Sequence, residues 1–194
     1  MCSSRSYRPS LVRPKIPMLV GFLAFVASQH LGAELPTREE ALAQLFPGAA
    51  LARETVFLTD EERRDVEKLS GVKMETSLVG LYRVRRDGHE VARAYVDTHV
   101  VRTKKESLLV VVDDKGQVRR VETTAFLEPL EYQAPQVWLN QYQGRDLGSD
   151  LAVNRSIRPL AGATLTARAA NQAVRRTLAL DQVLRKKSAR ARAE

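Results

Sequence analysis

The hydrophobic pattern divides the chain into an apolar N-terminal run, two short amphipathic segments, a block of alternating residues and a final amphipathic segment. Both short segments carry a threonine followed three residues later by a glutamate, Thr37 with Glu40 and Thr59 with Glu62. This spacing is the capping-box signature of a helix start. The pattern therefore predicts two short helices, of which the second ends at Gly71.

The alternating block predicts four antiparallel strands that follow one another along the chain. An Asp-Gly pair at residues 87–88 separates the first two strands, and residues 114–116 separate the next two. Residues 108–112 are apolar throughout, which predicts a strand that is covered on both faces.

Helical spacing returns in the C-terminal third of the chain. Pro135 is expected to start a short helix that carries Trp138 and Tyr142. Residues spaced by three and four predict a long last helix after the Gly-Ala-Thr sequence at 162–164, and they are Ala167, Ala170, Val174 and Leu178. The predicted fold class is α+β, an antiparallel β-meander packed with helices.

Positive charge is concentrated at the two ends of the chain. Residues 1–33 and residues 185–194 each contribute +4 to the total of +8, so residues 34–184 carry no net charge. Nucleic-acid-binding domains usually concentrate basic residues on a folded face, so we expect no nucleic-acid binding. The predicted organisation is a domain over residues 34–184 followed by a basic tail, residues 185–194, that is disordered and solvated.

Residues 1–33 have the order of a secretory signal peptide. A basic segment precedes the apolar run at 16–27, and a polar zone with small residues follows it. The run is shorter than the roughly 20 residues of a membrane span, and an uncleaved anchor is the alternative. The only cysteine, Cys2, lies in this segment, so disulfides and cysteine-ligated metals are excluded after cleavage. We expect a periplasmic or other extracytoplasmic location.

The residues before the last helix have two interpretations. In the first, Thr164 or Thr166 caps the helix and Gly162 gives the loop conformational freedom. In the second, the free backbone N–H groups and the helix dipole hold a phosphate, and a threonine hydroxyl is exposed for modification. Both use the same residues, so spacing does not separate them. Catalytic motifs are absent, and the scattered His89 and His99 do not predict a metal site.

The sequence Gly-Ala-Thr-Leu-Thr at 162–166 resembles the FMN-binding domain of two flavoprotein subunits. They are the G subunit of the Rnf electron-transport complex and the C subunit of sodium-translocating NADH:quinone reductase, and small exported relatives exist. The resemblance extends over residues 45–180, including the strand pair before Glu128 and the segment at 138–144. In the family, a flavin transferase reads Asp-x-x-Ser/Thr-Gly-Ala-Thr/Ser and joins FMN through its phosphate to the last residue.

The resemblance implies a covalent FMN at Thr164, with Gly162, Ala163, Leu165 and Thr166 around it. It also suggests Glu128, Trp138 and Tyr142 as residues of the ring pocket, although the two aromatic residues also fit the buried face of a short helix. Two positions depart from the family pattern. Arg158 replaces the usual aspartate, and Ala161 replaces the usual serine or threonine.

The leading hypothesis is an exported electron-transfer flavoprotein that acts as a carrier or a redox-complex subunit. Its expected partners are a flavin transferase during maturation and redox proteins of the membrane or periplasm. A flavin-free exported interaction domain of a redox complex is the alternative, and Arg158 and Ala161 favour it. A reductase acting on a soluble acceptor ranks last, because no acceptor or nicotinamide site is visible.

Overall fold

A computed structural model describes residues 35–191 and Ala193. Its helices and strands, in chain order, are α1 (Arg38–Leu45), β1 (Ala50–Phe57), α2 (Asp60–Ser70), β2 (Leu78–Arg86), β3 (His89–Val100), β4 (Lys105–Asp113), β5 (Val118–Phe126), α3 (Gln136–Leu139) and α4 (Thr164–Arg190). Two 3₁₀ turns, Leu130–Tyr132 and Asn140–Tyr142, flank α3. The signal expected at residues 1–33 lies outside the described part of the chain. Within that part, no helix is long and apolar enough to cross a membrane.

The five strands form one antiparallel sheet in the order β1-β2-β3-β4-β5. The α+β class and the meander are therefore confirmed, with one strand more than the four expected. The additional strand β1 pairs with β2 from Ala50 opposite Arg85 to Phe57 opposite Leu78. It lies at the edge of the sheet and most of its residues are exposed, so its sequence lacks a clear alternation.

The sheet is covered on both faces, and each face has its own core. Helices α2, α3 and α4 cover one face, where Val110 and Val112 of β4 are buried. Helix α1 covers part of the other face, where Leu42 packs with Leu109 and Val111. The prediction that residues 108–112 form a doubly covered strand is confirmed, since each of them is at most 1% exposed.

The local signals at helix ends and turns gave the expected geometry. Both capping boxes are present, and Gly71 ends α2 in the left-handed conformation with φ of 69°. Asp87 and Gly88 both have positive φ, 51° and 79°, as a two-residue hairpin turn requires.

Helix α4 is the longest element of the described chain, with 27 residues, and it runs past the expected domain boundary. It continues through residue 184 to Arg190, so most of the segment predicted as a disordered tail is helical. The residues there are good helix formers. Lys187 also pairs with Glu62 of α2 at 2.8 Å, which holds this part of α4 against the domain.

Candidate functional site

The N-terminus of α4 is positioned by a glycine in the left-handed region. Gly162 has φ of 77°, and Ala163 then occupies the N-cap position before Thr164 opens the helix. Among the residues that the structure describes, no side chain accepts a hydrogen bond at this end of the helix, and Ala163 is the N-cap residue, so the threonine-cap interpretation is wrong. The Thr166 hydroxyl instead donates to the Tyr132 carbonyl at 2.7 Å and is almost fully buried.

A cavity of about 270 Å³ opens at this helix end. Five of its lining residues are the loop and first turn at 162–166, which the sequence singled out. The others come from the β3–β4 turn and from the segment after β5, and they are Val101, Arg102, Glu128 and Tyr132. The structure therefore brings together six of the eight predicted site residues.

The side chains at the cavity combine an accessible hydroxyl with apolar surface. Thr164 is exposed, whereas Ala163 beside it is buried. Leu165 is 48% exposed and Tyr132 is 39% exposed. Leu127 and Leu130, next to the cavity residues in the chain, are also exposed. Exposed apolar side chains gathered around an exposed threonine are typical of a binding site rather than of an ordinary helix start.

Glu128 lies at the cavity, but its carboxylate holds the β3–β4 turn. One oxygen accepts hydrogen bonds from the backbone N–H groups of Arg102, Thr103 and Lys104, at 3.3, 2.7 and 2.7 Å. The backbone hydrogen bonds of Thr103 and Lys104 lower the pKa of Glu128 below its ordinary value. The carboxylate thereby fixes the turn that brings Arg102 to the cavity.

Arg102 and Tyr132 are the site residues that sequence reasoning missed. Arg102 supplies the positive charge among the cavity-lining residues, and Tyr132 supplies their aromatic ring. Neither belongs to a motif. They reach the site because a tight turn and a 3₁₀ turn bring distant parts of the chain to the start of α4.

Trp138 and Tyr142 do not line this cavity. Both are buried in the main core, where their rings meet edge to face with centroids 5.8 Å apart. The buried-helix-face interpretation therefore describes their position. Trp138 still supports the loop, because its indole N–H donates to the Arg158 carbonyl at 2.9 Å. The Arg158 N–H donates to the Gln141 side chain, also at 2.9 Å, so the chain is held twice shortly before Gly162.

Arg158 and Ala161, the two departures from the family pattern, are both exposed and are not among the residues that line the cavity. The cationic side chain among the cavity-lining residues is that of Arg102.

A second polar cluster lies between the sheet and α4. His99 contacts Asp97 at 2.9 Å and Glu106 at 3.1 Å, and Arg176 of α4 contacts Asp97 at 2.7 Å. Burial alone would lower the pKa of His99, but the hydrogen bonds to the two carboxylates outweigh it and raise the pKa to about 9. The described residues contain no group of histidine and carboxylate side chains suited to hold a metal ion. The ion pairs of this cluster connect β3 with β4 and with α4.

Comparisons with protein-family models, with curated proteins and with solved structures gave no match. The resemblance to FMN-binding domains therefore stays a prediction from the sequence.

Proposed function

We propose that this domain is an exported electron-transfer flavoprotein that carries FMN at the N-terminus of α4, joined through its phosphate to Thr164. The observation that carries the proposal is the convergence of residues 162–166 and Glu128 on one cavity, with Thr164 exposed at an uncapped helix end. The sequence motif alone did not require that arrangement.

The phosphate side of the site fits an anion. The first-turn N–H groups of a helix have no intrahelical partners, and the helix dipole adds about half a positive charge at this end. Within residues 35–191, no side chain caps the start of α4. Arg102 lines the same cavity and adds a positive charge that offsets the carboxylate of Glu128, so the helix terminus supplies the remaining attraction for a phosphate. A phosphoester on the Thr164 hydroxyl would lie within this favourable field.

The ring side of the site fits a flat aromatic group that remains partly exposed. Tyr132, Val101 and Leu165 offer aromatic and aliphatic surface, while the cavity volume of about 270 Å³ is small. Typical ligand pockets enclose about 300–1,000 Å³. A site of this size does not retain a cofactor by burial alone. A covalent bond to Thr164 would therefore prevent loss of the cofactor outside the cytoplasm.

FMN, when bound, supplies reversible electron transfer. The residues of the protein hold and orient the cofactor. Thr164 anchors the group, and the first turn of α4 balances the phosphate charge. Glu128 and Thr166 fix the two segments that face the loop, through the β3–β4 turn and the Tyr132 carbonyl. The exposed apolar side chains nearby leave room for a redox partner to approach, and a flavin transferase is the partner for maturation.

The direct test is the intact mass of the denatured protein after expression of its exported form with a flavin transferase. We expect an increment equal to FMN minus one water, located by peptide mapping on the peptide that contains Thr164. Thr164→Ala should lose the increment, and Thr164→Ser should keep it because the hydroxyl remains. Thr55→Ala, at an exposed threonine of β1, is the matched control and should keep the increment.

Two other outcomes would change the conclusion in different ways. A colourless protein of unmodified mass would contradict the proposal and favour the flavin-free interaction domain. A yellow protein that loses its flavin on denaturation would keep the electron carrier and remove the covalent bond.

A further inference from the structure

A large groove lies between strands β2 and β3 and the last turns of α4. Its volume is about 1,210 Å³, and it is open to solvent. Basic side chains dominate the polar part of its lining, and they are Arg83, Arg85, Arg93, Arg185 and Lys186. We call it the basic groove.

The floor of the basic groove is a closed network of charges. Asp181 of α4 is 1% exposed and accepts hydrogen bonds from Arg93 and from the Tyr95 hydroxyl. Arg83 bridges two carboxylates, Glu54 at 2.9 Å and Glu90 at 2.7 Å. The floor thus sets two arginines against three carboxylates, which leaves it with one negative charge in excess.

The rim of the basic groove carries charges that the floor does not neutralise. The side chains of Arg85 and Lys186 are exposed and have no hydrogen bond or ion pair with another described residue. Arg185 lies 3.7 Å from Asp181 and offsets the remaining negative charge of the floor. Asp114 is an acidic residue of the lining. Two unpaired cations, Arg85 and Lys186, therefore face the groove against the carboxylate of Asp114.

We propose that the basic groove binds an acidic, extended segment of a partner protein. Its volume exceeds the range of about 300–1,000 Å³ usual for small-molecule pockets, which favours an extended ligand. Its free charge is positive, which favours carboxylate side chains. The groove is concave, so a flat membrane surface would reach the rim and not the interior.

Single-stranded nucleic acid is a poor fit for the same groove. Such ligands are held by exposed aromatic side chains on which bases stack. Tyr95 is 1% exposed and its hydroxyl is bound to Asp181, so among the described lining residues a single small ring, the exposed imidazole of His89, remains for stacking. An acidic peptide needs no stacking surface.

The basic groove and the cavity at Thr164 are separate sites. Residues 164 and 185 belong to the same helix, and 21 helical steps correspond to about 30 Å along its axis. Binding at the groove is measured without flavin, so failure of this proposal would leave the proposed function untouched.

The test measures binding of fluorescein-labelled decaglutamate to protein expressed from the full sequence, by fluorescence anisotropy at low ionic strength. Arg85→Gln/Lys186→Gln removes two rim charges, and we expect the Kd to rise about tenfold, or about 1.4 kcal/mol. The control is Arg64→Gln/Arg145→Gln, which removes the same charge at exposed positions outside the groove lining and should change the Kd less than about twofold. Circular dichroism checks the fold of both variants, and Lys186→Gln alone is a milder second variant.

Equal weakening in the two double variants would overturn the proposal, because it would mean attraction to net charge without a site. Absence of measurable decaglutamate binding would overturn it as well. Vesicles of phosphatidylcholine and phosphatidylglycerol form a parallel arm. If the groove variant loses vesicle binding while decaglutamate never binds, the groove is a membrane contact and the peptide assignment is wrong.

Discussion

Replacing Asp181 by alanine would remove the centre of the charge network beneath the basic groove. Asp181 is 1% exposed and accepts hydrogen bonds from Arg93 and Tyr95, which are themselves 7% and 1% exposed. Removing one partner of a buried ion pair leaves the other charge uncompensated, which costs about 3–5 kcal/mol. Arg93 would keep Glu90 at 2.9 Å and the Asp113 carbonyl at 3.0 Å, which reduces this cost. The Tyr95 hydroxyl would lose its partner and add about 1–3 kcal/mol.

We therefore expect Asp181→Ala to lower the free energy of unfolding by about 3–5 kcal/mol, measured by urea denaturation followed with circular dichroism. Asp60→Ala is the control, because it removes an exposed carboxylate that lies 3.7 Å from Arg63. The loss there should stay below about 1 kcal/mol. Arg93→Met/Asp181→Leu removes both charges and should recover at least half of the stability that the single variant loses.

A loss below about 1 kcal/mol for Asp181→Ala would contradict the assignment of the network to stability, since removing one partner of a buried ion pair costs more than that. The assignment would also be refuted if the double variant were no more stable than the single one, because the loss would then come from packing around Asp181 instead of from the stranded charge.

Two further predictions concern the His99 cluster and positions 158 and 161, before the loop that opens α4. The folded pKa of His99 is about 9 against an ordinary value of 6.5, so the cluster's contribution to the free energy of unfolding should be complete below pH 6.5 and lost as pH rises through 9. Urea denaturation across this range should show that loss in the natural protein and not in His99→Gln, and equal pH slopes would contradict the assignment. Arg158→Asp/Ala161→Thr restores the family pattern and should raise the fraction of protein carrying covalent FMN, measured by intact mass. An unchanged fraction would show that the transferase does not read these two positions.

The parts of the fold that the sequence predicted are those specified by neighbouring residues. A capping box needs only four residues, and the hairpin at Asp87 and Gly88 needs only two residues with positive φ. Strand β1 was missed because its position depends on pairing with β2, about thirty residues away in the chain, and because its residues are mostly exposed. The helical end of α4 was missed for a similar reason, since Lys187 is held by the distant Glu62.

At the candidate site, too, local sequence predicted some residues, and the approach of distant segments determined the others. The loop at 162–166 and Glu128 were both predicted from the resemblance to FMN-binding domains, and both line the cavity. Arg102 and Tyr132 were not predictable, because their approach to the loop depends on how two turns fold. Trp138 and Tyr142 were ambiguous in principle, since aromatic residues four positions apart suit both a pocket and a core. Their burial and edge-to-face contact place them in the core.

The two proposals place flavin attachment at one end of α4 and partner binding at the other. The N-terminal end has free N–H groups and an exposed Thr164, while the other end carries the rim cations Arg185 and Lys186. The Asp181 network ties the helix to the sheet, so the two sites keep a fixed separation. A partner segment held in the basic groove would therefore leave the cavity at Thr164 open. Docking and electron exchange would then involve separate surfaces, so a variant of the groove should change partner affinity without changing flavin attachment.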